Sequence, residues 1–427
     1  MKNFRRLPAI GMVAAAVALV ALAGCGGKGS GSSSNASLRL VNATLTHPSL
    51  DLLVNTAVAA SATATDTVSA YTAPPSGGVT LQINDAGGGT ALATTVPTLT
   101  GGNHYTMVAY ESGGAVKTVI LNEDFAVPAA GVATLRLYDA AAEAGKLDLY
   151  VTTSACTSLA GVSPSYSFVS PTTTTSVSLT QGAGTYNVCA TAQGNASDLR
   201  MSQSITVASQ QVATVVMTPT VGGQLVNAAL LVQQGIYTAA RNPNARVRLA
   251  AALSGGASVA SFAGGTMLDA LAAPGLGFVY KLVPAGSALT VAVNGGASIG
   301  VPGTPAVGAD VTLLAYGNPA SPTLSLIADD NRLPTDGTTK LRLINGITGS
   351  TGTLTLTANT ALVGNGIAPG MASGYASVPG SSTAMILKLS SSTNSALLTD
   401  GTNVLNPNSV YTVLAGGDVS APVLLPR

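Results

Sequence analysis

The 427-residue chain carries 18 Lys and Arg against 17 Asp and Glu, charged residues make up only 8% of it, and it has no Trp. Charge this sparse gives no clustered basic surface to displace counterions from nucleic acid, and 12 Tyr with 5 Phe do not make a base-stacking platform, so nucleic acid is set aside as a partner. A 46% hydrophobic share with near-zero net charge is the opposite of a disordered composition, and the length suits several domains.

Residues 1–24 read as an export signal. Lys2, Arg5 and Arg6 are basic, and Ile10 to Leu22 is apolar but too short, and too soon followed by Gly and Ser, for a membrane-spanning helix. Removing the three basic residues leaves 15 Lys and Arg against 17 acids, a balance of −2. The run ends in Leu22-Ala23-Gly24-Cys25, which resembles the lipobox of bacterial lipoproteins. That resemblance implies cleavage before Cys25, lipidation of its sulfur and amino group, and the membrane as a partner through Cys25. Several acyl chains anchor stably where one binds marginally. Gly26, standing where an aspartate would signal inner-membrane retention, points to the outer membrane. An ordinary secretory signal or an uncleaved anchor is the alternative. Residues 25–36 then form the lipidated Cys and a Gly/Ser-rich flexible tether.

Next comes a phrase that occurs four times: Leu38-Arg39-Leu40-Val41-Asn42-Ala43, Leu135 to Ala140, Val247 to Ala252 and Leu341 to Gly346, each with Arg second. The phrase alternates like a half-buried strand, which puts Arg39, Arg136, Arg248 and Arg342 on the face away from their Leu or Val neighbours, expected to be the solvated face. There they would discourage edge pairing and hold register. The arginines are 97, 112 and 94 residues apart. Other landmarks recur: a second strand (Leu50-Asp51-Leu52, Leu147-Asp148-Leu149, Leu354-Thr355-Leu356, degenerate at Ala257–Ala260) and a tyrosine (Tyr71, Tyr166, Tyr280, Tyr375). A proline (Pro74, Pro171, Pro284, Pro379) and a closing strand (from Tyr105, Val212, Val311 and Tyr411) follow. Short strands between Gly and Pro turns predict an all-β chain of four tandem Ig-like antiparallel β-sandwich domains: residues 37–128, 132–234, 245–334 and 340–427. Linkers fall near Pro128–Val132, Arg241–Ala245 and Pro334–Lys340, giving separate beads. Leu225 to Ala240 comes nearest to a helical period but aligns as strand and linker.

These features resemble the DUF4397 family, bacterial exported domains of undefined function. The strand-Arg-strand opening, the Leu-Asp-Leu second strand, Tyr280…Val283-Pro284-x-Gly286, and the acidic pairs Glu123-Asp124 and Asp329-Asp330 carry the likeness over most of residues 37–427. The family brings no catalytic residues with it; it implies an envelope β-sandwich.

Chemistry-bearing residues are few. Cys156 and Cys189, 33 apart in the second unit, are expected to be bridged in an oxidising compartment, two buried thiols being the alternative. Neither His47 nor His104 shares their unit, so no zinc set forms. Gly296-Ala297-Ser298-Ile299-Gly300 matches a bare nucleophile-elbow pattern, but no His follows residue 104 to complete a triad. His47 and His104 read as turn or surface residues. Asp329, Asp330 and Asp336 could offer oxygens to Ca²⁺ at a junction, though a solvated turn is the plainer expectation. The reading is a lipid-anchored outer-membrane protein without catalytic, cofactor or metal sites. Its role is structural, adhesive or binding, with polysaccharide or another envelope protein as candidate partner. A subunit joined by strand addition and a glycan-active enzyme are the rivals.

Overall fold

In a computed structural model the structure describes residues 34–157, 159–169, 177–349 and 352–427. Residues 1–33, on which the expected export segment, Cys25 and most of the expected tether fall, and Pro171 lie outside the described residues. The described chain is all-β, its only helical pieces being 3-10 turns at Ala142–Ala144 and Ser254–Gly256. Among the described residues no helix is long and apolar enough to cross a membrane.

The opening phrase forms a strand each time because its Leu or Val residues fill a core on one side. In the first repeat Ser37–Asn42 lies in a sheet ordered Ala115–Asn122, His104–Ser112, Ser37–Asn42, Thr67–Val68. A second sheet, ordered Ala57–Ala64, Ser49–Val54, Leu81–Asp85, Ala91–Thr95, covers it. Leu38 and Leu40 meet Leu50, Leu52, Leu81 and Ile83 between the layers. Each such leucine, fully buried, contributes about 1.5–3 kcal/mol. Three more sheet pairs close their own cores in the same manner, around Leu135 and Leu137, Val247 and Leu249, and Leu341 and Leu343. Second-strand Asp51 staples its layer: its carboxylate accepts the Ala62 N–H at 2.7 Å, at a bulge where Ala62 has φ 52°, and the Gly87 N–H at 2.9 Å. Asp148 likewise takes the Gly194 N–H at 2.7 Å.

The expected antiparallel pairing holds with one exception per repeat. Opening and closing strands run parallel: Ser37–Asn42 with His104–Ser112, Val132–Asp139 with Val212–Pro219, Asn244–Leu253 with Asp310–Asn318, and Thr338–Asn345 with Ser409–Asp418. A parallel pair needs a long crossover, and the intervening second sheet supplies it.

Ser34–Arg427 is one compact unit. The cause is the outer face of each first sheet, which is apolar as well. Val41, Ala43, Val108 and Tyr110 pack against Tyr138, Ala140, Val216 and Ala229 of the second repeat. Ala250, Ala252 and Leu314 of the third pack against Ile344 and Leu414 of the fourth. Two of the expected linkers are docked: Asn242 is buried on Asn227 and Arg200, and Thr335 Oγ1 donates to the Gly113 carbonyl at 3.0 Å. Residues 225–240 form a hairpin of Val226–Val232 and Tyr237–Ala240, extending past residue 234.

Candidate functional site

The four opening-strand arginines point away from their own cores, as alternation requires, but that face is not solvated. Arg39, Arg136, Arg248 and Arg342 are only 3%, 5%, 5% and 2% exposed, because the neighbouring repeat covers them. Each stands beside a closing-strand threonine fixed by the parallel register: Thr106, Thr214, Thr312 and Thr412. Across the last strand, two positions beyond that threonine's partner, come Glu123, Gln233 and Asp329 in repeats one to three. A buried guanidinium needs an acceptor set, and the ladder delivers one.

In the first repeat Arg39 Nη2 donates to both Glu123 oxygens, at 2.9 and 2.7 Å, and Nε donates to Thr106 Oγ1 at 2.9 Å. Arg39 Nη1 reaches into the second repeat, donating to the Gly235 carbonyl at 2.6 Å. The Gln234 N–H returns the contact to Glu123 Oε2 at 2.6 Å. The Tyr71 ring stacks on Arg39 at 4.7 Å and its hydroxyl donates to Glu123 at 2.7 Å; burial, then that carboxylate, push the phenol well above its ordinary range.

Between repeats three and four, two guanidinium groups share one acid. Arg342 Nη2 bonds Asp329 Oδ1, and Arg248 Nε lies 3.7 Å from Asp329 Oδ2. Tyr280 and Thr312 hydroxyls donate to Asp329 Oδ2 at 2.5 and 2.7 Å. Arg248 Nη2 donates to Thr412 Oγ1 at 2.6 Å across the seam, and Arg342 Nη1 to the Ala328 carbonyl at 2.7 Å. Asp329 is therefore no part of a solvated turn, a correction that follows from the same covered face. Asp330 pairs with Arg332 and Lys340; burial pushes its carboxyl up, but those two cations hold it below its usual range.

The second repeat departs from the pattern. Tyr166, expected to match Tyr71, lies instead in the strand Tyr166–Val169 of the other sheet, 40% exposed. Phe125 stacks on Arg136 at 4.0 Å in its place. Gln233 stands at the acid position and bonds the Phe125 backbone, donating to its carbonyl and accepting its N–H. Arg136 Nη1 donates to the Asn122 carbonyl at 2.9 Å, the counterpart of Arg342 on Ala328. Burial pushes the Arg136 guanidinium down to about 10, Glu123 opposing it.

A cleft of about 790 Å³ opens where the second and third repeats meet the end of the chain. Arg200, Arg246, Arg248, Lys281 and Arg427 line it with a single acid, Asp198. Arg200 Nε and Nη2 donate to the two Asp198 oxygens at 2.8 and 2.7 Å, while Arg246 forms a bidentate pair with buried Asp310 at 2.8 and 2.7 Å. Burial and the neighbouring Arg246 charge hold Arg200 below its ordinary value. Phe278 on the rim is 76% exposed, with the Arg427 guanidinium 4.0 Å from its centroid. A smaller cleft of about 300 Å³ holds Glu111, Glu143 and Asp330 beside Arg332 and Lys340. Burial pushes the Glu143 carboxyl up, and the Gly114 N–H at 3.1 Å pulls against it.

The remaining sequence candidates scatter. Cys156 and Cys189 are joined in a disulfide, Cα atoms 5.6 Å apart, beside Tyr150 and Leu159. His47 pairs with Asp85 at 2.7 Å and His104 with Asp124 at 3.1 Å, both at the surface of the first repeat. Ser298 sits in a hairpin turn after Leu289–Val293, where Asn294 takes φ 51°, and no helix follows it. Among the described residues no three His, Cys, Asp or Glu side chains gather to hold a metal.

Residues 36–150 match the model of DUF4397, a domain of unknown function, so the chain contains that domain over its first repeat and the opening of its second. No curated protein matches the chain. Among solved structures, a candidate cell adhesion protein from Bacteroides uniformis ATCC 8492 shares 11% identity over 47% of this chain and 98% of its own, at a TM-score of 0.21. A glycogen-degrading pneumococcal virulence factor, SpuA, shares 8% over 62% and 37%, at 0.16. The Bacillus anthracis TIE protein shares 9% over 86% and 66%, at 0.15. Likenesses this loose fix no shared function.

Proposed function

We propose that this chain is a lipid-anchored protein of the bacterial envelope, held at the outer membrane through Cys25, with a non-catalytic binding or structural role. In this reading each sheet pair is one domain, and polysaccharide or another envelope protein is the partner. The observation that carries the non-catalytic part is the employment of the buried charges. Glu123, Asp310 and Asp329 sit in closed ion pairs that join strands and repeats. The larger cleft offers one carboxylate, held by Arg200, where glycoside hydrolysis uses two. The anchor rests on the basic start, the apolar run and Leu22-Ala23-Gly24-Cys25.

Two experiments test this. The full chain expressed in a bacterium and fed labelled palmitate is expected to carry label in the membrane fraction and to lose it in Cys25→Ser; an unlabelled, freely released wild type overturns the anchor. Assays against a glycan panel are expected to show no turnover. Hydrolysis that disappears in Glu143→Gln, the carboxyl with a raised pKa in the smaller cleft, would overturn the non-catalytic reading.

A further inference from the structure

We infer that the cleft between the second and third repeats binds an acidic saccharide, its carboxylates on the cationic floor and a sugar ring on Phe278. This names a ligand class for the binding role proposed above and rests on that reading. Five cations line the cleft; Arg200, Arg246 and Arg248 are answered by Asp198, Asp310 and Asp329, so its uncompensated positive charge sits on Lys281 and Arg427. The floor is built, not incidental: Arg200, Arg246 and Arg248 are 7%, 5% and 5% exposed, and each is oriented by fixed partners behind it. Arg246 spends Nε and Nη2 on Asp310, which leaves Nη1 toward the cleft with Asp198 Oδ1 4.0 Å away. Lys281 and Arg427 enter no ion pair among the described residues.

Neighbouring guanidinium groups repel each other, and burial sharpens the repulsion. Asp198 already stands between Arg200 and Arg246, so an entering carboxylate is received by Lys281 and Arg427 and can share Arg246 Nη1, 4.0 Å from Asp198 Oδ1. The rim decides the rest of the ligand. Phe278 and Val279 are 76% and 60% exposed at the mouth, where a purely ionic ligand has no use for them. A pyranose carries polar edges and an apolar C–H face, so it can rest on an open phenyl ring while its carboxylate reaches the floor. About 790 Å³ admits two or three sugar rings on the scale of ligand clefts.

The test is calorimetric titration of the full chain in detergent with hexagalacturonate, its fully methyl-esterified form and hexaglutamate. Esterification keeps the rings and removes the charges; hexaglutamate keeps charges and removes the rings. Hexagalacturonate is expected to bind, at least tenfold more tightly than either control, and to weaken with salt. Lys281→Gln and Phe278→Ala, both on exposed side chains, are each expected to weaken it at least fivefold without moving Tm. No binding of hexagalacturonate, or binding untouched by both substitutions, overturns the site. Equal binding of hexaglutamate overturns the saccharide assignment. None of these readouts depends on palmitate, so the site and the anchor stand or fall separately.

Discussion

Arg39 and Glu123 are 3% and 2% exposed and bonded in bidentate geometry, so their worth lies in mutual satisfaction. Removing one partner leaves a buried charge, and Glu123→Gln is expected to destabilise the first repeat by about 3–5 kcal/mol in denaturant unfolding. The double change Arg39→Met, Glu123→Leu is expected to cost less than the sum of the single changes, because no charge is stranded. Asp139 makes the opposite case. Burial raises its carboxyl from 3.8 to about 7, the Ala141 N–H pulling against it, and Oδ2 has no partner among the described residues. A folded value above the unfolded one means the folded state holds the proton longer. Stability from this group is therefore full below about 4 and falls as pH rises toward 7. Asn42 and Asn345 occupy the same place in the first and fourth copies. Asp139→Asn is expected to flatten that slope and to stabilise by about 2–4 kcal/mol at pH 8, with little change at pH 4; thermal midpoints at the two pH values check it.

At the scale of the strand, the opening phrase was readable as an element but not as an interface. Alternation placed Leu38 and Leu40 inward and Arg39 outward, and both placements hold. The solvated face was inferred from the arginine alone. Val41, Tyr138, Ala250 and Ile344, two residues on and facing the same way, are apolar and mark a strand covered on both sides. The threonines opposite the arginines were visible as a recurring letter, but only the parallel register gives them a partner. Tyr166 was misplaced because spacing alone cannot separate two strands that start near the same count. The fourth copy ends in Gly346 where the other three have Ala, and the seam explains it: a Cβ there would lie 2.5 Å from Ala252 Cβ. Gly346→Val is expected to cost about 1–3 kcal/mol, as overpacking does, read as a lower unfolding midpoint. Reducing the Cys156–Cys189 bridge, which closes a 33-residue span, is expected to cost the second sheet pair about 3–4 kcal/mol on the chain-entropy account.

Across the whole molecule the repeats are joined as pairs, first with second and third with fourth, through apolar outer faces crossed by buried arginines. The recurrence of the phrase was plain in the sequence, and each of its four copies forms a strand paired in parallel with a later one. The union of the repeats was not plain, since contacts such as Arg39 to Gly235 join positions 196 apart. The cationic cleft was equally hidden, its residues being drawn from positions 156 to 427. The buried arginine network holds two repeats as one body. Hydrogen exchange on the Glu123→Gln chain tests it most directly, because amide protection reports local opening. Faster exchange is expected both in residues 37–43 and in residues 226–240 of the second repeat, whose hairpin turn carries the Arg39 and Glu123 contacts. Acceleration confined to residues 37–122, with the hairpin unchanged, would contradict the account and return the chain to four independent beads.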